Sequence, residues 1–184
     1  MANTPDGLFL FGTNQTAEVP STPGNANDAT PKAPMGSMYR ENGKVWRYVQ
    51  FDNGTDNVAA TAYGVVHWKT LAPASGSFVV TSDYSSAIGK NLVAGVIQSA
   101  VTDQYYTWIQ VGGLATAKVL FTALTGDPVA AAVAGCKCYY SSTDLKFNMI
   151  EPATSPAAVV FGVTVAAANY TAGTASVLLQ NLDW

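Results

Sequence analysis

Short apolar runs alternate with turn-forming residues along most of this chain. From Gly36 onward the turns are rich in Gly, Asn, Asp, Pro and Ser, which is typical of β-strands joined by tight connections. No long run repeats with the 3.6-residue period of an amphipathic helix. The pattern therefore predicts an all-β fold, a small antiparallel β-barrel or sandwich. The predicted strands occupy residues 38–41, 44–51, 61–69, 77–81, 92–98, 105–111, 114–121, 136–140, 145–150, 159–166 and 176–182.

The clearest local signal is the dipeptide Asn42-Gly43 between two of these strands. A type I′ turn needs two residues at positive φ, and Asn followed by Gly accepts both positions. A two-residue loop sets Glu41 opposite Lys44 and Tyr39 opposite Trp46. We therefore expect a hairpin that carries one ion pair and one aromatic cross-strand pair.

Two further signals concern bends and helices. Gly112 and Gly113 interrupt the apolar run 105–121, so this run is either a hairpin with a tight loop or one long bent strand, and a small barrel favours the bend. One short helix is predicted at 127–135. Asp127 can cap it, Pro128 suits its first turn, and a glycine ends it.

Residues 1–35 differ in composition from the predicted barrel domain, residues 36–184. They contain five prolines and few apolar side chains, so they cannot offset an ordering cost of about 1–2 kcal/mol per residue by folding alone. One apolar patch interrupts them: Leu8, Phe9, Leu10 and Phe11. Because burying each such side chain is worth about 1.5–3 kcal/mol, we expect an extended N-terminal arm that docks on a surface. That surface is either its own barrel or a neighbouring subunit. We expect the neighbour, which makes these four residues the predicted partner-binding residues.

Composition and charge restrict the possible partners. Only 11% of the residues are charged, against roughly 25% in an ordinary soluble domain, and the net charge is -3. This balance offers no basic field for phosphates, so we expect no nucleic-acid partner. No apolar stretch approaches the roughly 20 residues of a membrane span, and no signal peptide is visible, so we expect no membrane partner.

The candidate catalytic and ligating residues are few. His67 is the only histidine, and a period of two places it with Lys69, facing solvent as an ordinary surface residue. Cys136 and Cys138 would lie about 6.6 Å apart in a strand, near the upper limit for a disulfide, and they lack the further ligands of a zinc site. The acidic residues fall in predicted turns or at element ends, where carboxylates bond local backbone N–H groups: Asp52, Asp56, Asp83, Asp103, Asp127, Asp144, Glu151 and Asp183. We therefore predict no catalytic residue, no cofactor and no metal site.

The aromatic residues admit two interpretations. They could form a sugar-stacking platform or pack in the core and at interfaces, and we expect packing. The residues concerned are Tyr105, Tyr106, Trp108, Tyr139, Tyr140 and Tyr170.

The order of segments supplies a resemblance. Residues 36–50, Gly-Ser-Met-Tyr-Arg-Glu-Asn-Gly-Lys-Val-Trp-Arg-Tyr-Val-Gln, resemble the opening hairpin of many small tailed-phage virion proteins. Residues 94–98, 106–113, 160–168 and 176–179 are similar to the rest of that pattern. The resemblance is to capsid decoration, or cement, proteins. It implies a small β-barrel bound outside the major capsid lattice, often as a trimer.

The expected function is therefore that of a viral structural protein on the capsid exterior, which binds the major capsid lattice and stabilises the phage head. The expected partners are the major capsid protein and further copies of this chain, in a homotrimer or another homo-oligomer. Two alternatives remain open. One is a head-fibre or tail-associated module that binds host-surface glycans, and the other is a carbohydrate-active enzyme with a pair of facing carboxylates.

Overall fold

A computed structural model describes residues 23–72, 76–88, 92–121, 134–141, 143–150, 160–165 and 173–180. Strands dominate these residues, and the prediction of an all-β fold is confirmed. The described helical structure is a single 3-10 turn at Tyr84–Ser86, whereas residues 127–133 of the predicted helix lie outside the described residues. The strands are β1 Met38–Glu41, β2 Lys44–Asp52, β3 Val65–Ala72, β4 Ser77–Thr81, β5 Val93–Ile97, β6 Tyr106–Phe121, β7 Lys137–Tyr140, β8 Phe147–Ile150, β9 Gly162–Thr164 and β10 Thr174–Leu179.

The long strand β6 belongs to two closed rings. In the first ring the strand order is β2-β4-β3-β5-β6, closed by the pairing of β6 with β2, and β1 extends this ring as a neighbour of β2. In the second ring the order is β6-β10-β9-β7-β8, closed by the pairing of β8 with β6. Residues before Gly113 pair with β2, and residues from Gly113 onward pair with β10.

The passage between the rings takes place at the two glycines of β6. Gly113 has φ +79°, a left-handed conformation that favours glycine, and a Cβ atom there would overlap the carbonyl oxygen of Gly43. The strand nevertheless continues without a break from Tyr106 to Phe121. The prediction of one long bent strand rather than a hairpin is therefore confirmed.

The β1–β2 hairpin has the predicted turn and register. Asn42 and Gly43 have φ angles of 49° and 73°, as a type I′ turn requires. Glu41 pairs with Lys44, and Tyr39 pairs with Trp46.

Two strand pairings are parallel, in contrast to the expected antiparallel arrangement. β4 pairs with β2 in parallel, and β8 pairs with β6 in parallel, whereas the other described pairings are antiparallel. In the parallel pairing with β2, strand β4 lies between β3 and β2 and is antiparallel to β3. Ring closure thus depends on pairings between distant segments.

One apolar core runs through both rings. It includes Phe51 and Trp68 from the first ring and Cys138, Phe147 and Phe161 from the second. Both cysteines are buried and free, as the sequence suggested, and burial raises the pKa of the Cys138 thiol to about 12, with a smaller contribution from Cys136. The Cys138 thiol is therefore a packing residue at neutral pH.

Candidate functional site: the base of the N-terminal arm

The arm is the feature on which the predicted function depends. Its apolar residues Leu8, Phe9, Leu10 and Phe11 lie outside the described residues, so their predicted partner contact stays a prediction. Residues 23–35 are described, and they lie on the barrel of their own chain. We call residues 23–36 the arm base.

Backbone pairing joins the arm base to β6. Asp28 and Tyr106 form an antiparallel bridge, in which each backbone N–H donates to the other residue's carbonyl oxygen at 2.9 and 2.8 Å. The Thr107 hydroxyl donates to the carbonyl oxygen of Ala26 at 2.8 Å. Asn27 and Thr102 exchange two more hydrogen bonds, of 3.1 and 2.9 Å. The arm base is thus held in register beside the start of β6.

Tyr48 connects the arm base to β2. Its hydroxyl donates to Oδ2 of Asp28 at 2.8 Å and accepts from the backbone N–H of Lys32 at 3.1 Å. The backbone N–H of Gly36 donates to the Tyr48 carbonyl at 2.7 Å. Burial of the ring, with further contributions from the neighbouring Asp28, raises the pKa of Tyr48 well above its usual range. The hydroxyl is therefore protonated near pH 7 and donates its hydrogen bond there.

An aromatic cluster fills the space beneath the arm base. Tyr48 packs against Trp108 with ring centroids 5.0 Å apart and against Tyr106 at 6.3 Å, while Tyr39 packs on Trp108 at 6.0 Å. Trp46 and Ala26 complete the cluster. These rings lie on the outer face of the first ring, opposite the core, and the arm base covers them.

Burial separates the two interpretations of the aromatic residues considered in the sequence analysis. Trp108 and Tyr139 are each only 3% exposed, and Tyr105, Tyr106 and Tyr140 are half-buried. Burial of this kind supports the packing interpretation for the described rings over an open sugar-binding platform. Tyr170 lies outside the described residues.

The direction of the arm base is set by its antiparallel pairing with β6. Gly24 lies against Trp46 and Gln98, and Trp46 is paired with Gln110 of β6. Traced back toward the N-terminus from the bridge between Asp28 and Tyr106, the chain runs beside Thr107 as far as Ala26 and then turns at residues 23–25, where Gly24 has φ +97°.

His67 is fully buried, and the prediction of a solvent-facing histidine is wrong. That prediction assumed strict alternation between His67 and Lys69. A β-bulge between Trp68 and Thr70 breaks the alternation, because the register with β4 shifts there and Lys69 has no partner in β4.

The imidazole of His67 packs edge-on against the ring of Tyr84, with centroids 5.5 Å apart. Neither ring nitrogen has a hydrogen-bond partner among the described residues, so no described hydroxyl, thiol or carboxylate is coupled to it. Burial lowers the pKa of His67 to about 4. The histidine is therefore a neutral packing residue near pH 7.

The described acidic residues serve the turns, as predicted. Asp83 accepts from the backbone N–H of Ser85 at 2.7 Å, from the Ser86 hydroxyl at 2.5 Å and from the backbone N–H of Asp56 at 3.1 Å. Burial acts to raise the pKa of Asp83, but hydrogen bonds from Ser85 and Ser86 outweigh it and hold that pKa below its usual range.

The other described acids behave in the same way. Asp52 binds Lys69 at 2.7 Å and accepts from the N–H of Gly54, Asp103 accepts from Asn53, and Asp144 accepts from Tyr84. The remaining acids named in the sequence lie outside the described residues: Asp127, Glu151 and Asp183. Across the described ranges, no group of three His, Cys, Asp or Glu side chains is placed to hold a metal ion. The same residues include no helix long and apolar enough to cross a membrane.

Comparison with known proteins gives one structural similarity. No family model matches this chain, and no curated protein matches it. Among solved structures, it is similar to the N base of the head fibre protein gp8.5 of bacteriophage phi29, at 11% sequence identity and a TM-score of 0.47. The similarity covers 75% of this chain and 95% of that one. Similarity at this level assigns neither a family nor a function.

Proposed function

We propose that this chain is a structural protein of a phage virion, which decorates the outer surface of the major capsid lattice and stabilises the head. In this role residues 36–184 form the decorating module, and the N-terminal arm anchors it. Leu8, Phe9, Leu10 and Phe11 are the proposed anchor on a neighbouring subunit. The resemblance of residues 36–182 to small tailed-phage virion proteins supports this role.

The observation that carries the proposal is the attachment of the arm base to β6 and β2. Asp28, Tyr48 and Tyr106 hold the arm base on the barrel. An apolar anchor on a tether of fixed origin has a high effective concentration near its docking surface, so a modest contact becomes a firm attachment when sites repeat on a lattice. Such a tether serves binding and supplies no chemistry.

The state of the polar side chains is consistent with this role. Asp83, Asp103 and Asp144 accept hydrogen bonds in turns, Asp52 pairs with Lys69, Asp28 holds the arm base, and His67 is neutral and buried. A protein that binds only the assembled lattice stabilises the assembled state by mass action, without a reaction.

The test uses purified capsids that lack the protein. The full chain is added over a range of concentrations and its occupancy is measured by cosedimentation, beside a variant that lacks residues 1–12. We expect saturable binding of the full chain at a fixed ratio to capsomers, and at least tenfold weaker binding of the shortened variant. Circular dichroism should be the same for both, because the deleted residues precede the arm base.

Two outcomes would overturn the proposal. Equal occupancy of the two proteins would reject the anchoring role of the arm. Absence of capsid binding, together with saturable binding of the full chain on a glycan array, would favour the alternative of a head-fibre or tail-associated module.

A further inference from the structure

Two Asn-Gly pairs lie at turns on either side of β2. Asn42-Gly43 forms the tip of the β1–β2 hairpin, and Asn53-Gly54 follows the end of β2. In such a pair the backbone nitrogen of the glycine is close enough to attack the amide carbon of the asparagine side chain, and no Cβ atom hinders the approach. Since both pairs contain the same reacting groups, their surroundings decide which pair reacts.

The pair Asn53-Gly54 is held by neighbouring carboxylates. The backbone N–H of Gly54 donates to Oδ1 of Asp52 at 2.7 Å, and the backbone N–H of Asn53 donates to Asp103 at 2.8 Å. Oδ1 of Asn53 is buried, and a Cβ atom at Gly54 would overlap the side chain of Asp83. Attack by the Gly54 nitrogen therefore requires this turn to open first.

The pair Asn42-Gly43 is open to solvent. Both residues are exposed, and a Cβ atom at Gly43 would meet nothing within 4 Å. Among the described residues, none is hydrogen-bonded to the Gly43 N–H or to the Asn42 side chain. The nitrogen can therefore lose its proton to solvent, and the Asn42 side chain is free to turn toward it.

We propose that Asn42 is a site of spontaneous deamidation, which alters the hairpin tip as the protein ages. The Gly43 nitrogen forms a bond to Cγ of Asn42, the bond from Cγ to Nδ2 breaks, and the amide leaves as ammonia with the proton of the Gly43 N–H. The product is a succinimide ring. Water then opens the ring at either of its two C–N bonds, which gives aspartate or isoaspartate at position 42.

Isoaspartate at position 42 is incompatible with the hairpin turn. It adds one carbon atom to the main chain of a two-residue turn that Asn42 and Gly43 close with φ angles of 49° and 73°. It also places a new carboxylate next to Glu41, which pairs with Lys44. The Gly43 carbonyl lies against Gly113, so a change at the hairpin tip reaches the bend of β6.

The first experiment compares the two pairs in the full chain. The folded protein is incubated at mildly alkaline pH, and samples are digested and analysed by mass spectrometry for aspartate and isoaspartate at positions 42 and 53. We expect modification at Asn42 to be at least about tenfold faster than at Asn53, because the latter needs local opening. In urea-unfolded protein the two rates should be similar.

Two variants test the stated causes. Asp52→Ala removes the acceptor for the Gly54 N–H, so it should raise the rate at Asn53 and leave the rate at Asn42 unchanged. Asn42→Gly is the matched control for the consequence, since Gly-Gly also accepts a type I′ turn but has no side-chain amide. After equal incubation, amide hydrogen exchange in β1 should be faster in the unmodified sequence and unchanged in Asn42→Gly.

Three outcomes would overturn the proposal. The first is an Asn42 that stays intact in the folded protein. The second is modification at Asn53 as fast as at Asn42 in the folded protein. The third is isoaspartate at position 42 without faster exchange in β1. None of these measurements uses capsids, so the proposed function is tested separately.

Discussion

The hydroxyl of Tyr48 lies 2.8 Å from a carboxylate oxygen of Asp28 and donates a hydrogen bond to it. Twenty residues separate the two along the chain, and the bond joins the arm base to the wall of the first ring. A hydrogen bond to a charged acceptor is worth about 1.5–3 kcal/mol. This contact therefore helps to hold the arm base on the barrel.

The change Tyr48→Phe should loosen the arm base. It removes the donor to Asp28 and the acceptor for the N–H of Lys32, and we expect a loss of about 2 kcal/mol of unfolding free energy. Amide hydrogen exchange should rise over residues 26–36 more than over β10. Tyr63→Phe is the control, because Tyr63 is 40% exposed. Unchanged exchange in the arm base would contradict the role given to Tyr48.

His67 should make the protein less stable as the pH falls. The unfolded chain takes up a proton near pH 6.5, whereas burial lowers the pKa of the folded-state imidazole to about 4. Between these values the unfolded state binds more protons, so the contribution of His67 to the free energy of unfolding falls with decreasing pH, by about 3 kcal/mol in total, and this contribution levels off below pH 4. Urea denaturation at several pH values measures this slope.

A direct titration checks the same point. Because the chain has one histidine, its imidazole signal in a proton NMR spectrum is unambiguous. We expect no titration between pH 8 and pH 5 in the folded protein. A midpoint near 6.5 would show that the ring is accessible and would refute its burial.

Gly113 and Gly43 provide a matched pair of substitutions. Both have positive φ, at +79° and +73°, so alanine is strained at either position. An added Cβ at Gly43 meets nothing within 4 Å, whereas one at Gly113 overlaps the backbone of Gly43. We expect Gly113→Ala to cost about 1–3 kcal/mol more than Gly43→Ala in thermal or urea unfolding. Equal costs would mean that the bend in β6 does not depend on this close approach.

Asp83 should matter more for stability than the other described turn acids. Asp83 is buried, and Asp83→Ala leaves the backbone N–H groups of Ser85 and Asp56 without their acceptor. We therefore expect the free energy of unfolding to fall by about 3 kcal/mol. Asp103→Ala, at an exposed turn, removes the acceptor for the N–H of Asn53 and should cost about 1 kcal/mol. The comparison is made by urea denaturation at pH 7, and the reverse order would contradict the assigned hydrogen bonds.

Local signals in the sequence predicted local structure well. The hairpin at Asn42 and Gly43 follows from two adjacent residues that tolerate positive φ, and its register follows from the loop length. The bend in β6 likewise follows from adjacent glycines. The pairing of β4 with β2 and of β8 with β6 joins segments far apart in the chain, and no local pattern specifies it.

The sequence left open whether the arm docks on its own barrel, and it missed the burial of His67. Val45 and Val49 face the core, while Trp46 and Tyr48 alternate with them and face outward. A strand that is apolar on both faces needs a cover on each, and this was the available signal for the arm base. At His67 the alternation itself failed, because a bulge at Lys69 adds a residue that the period of two does not anticipate.

The strand shared by the two rings has a mechanical consequence. A pull on the arm enters at the bridge between Asp28 and Tyr106 and passes along one covalent backbone to Phe121. Force applied there reaches the second ring through the peptide backbone of β6, which is a wall of both rings. We therefore expect tension on the arm base to load both rings rather than the first ring alone.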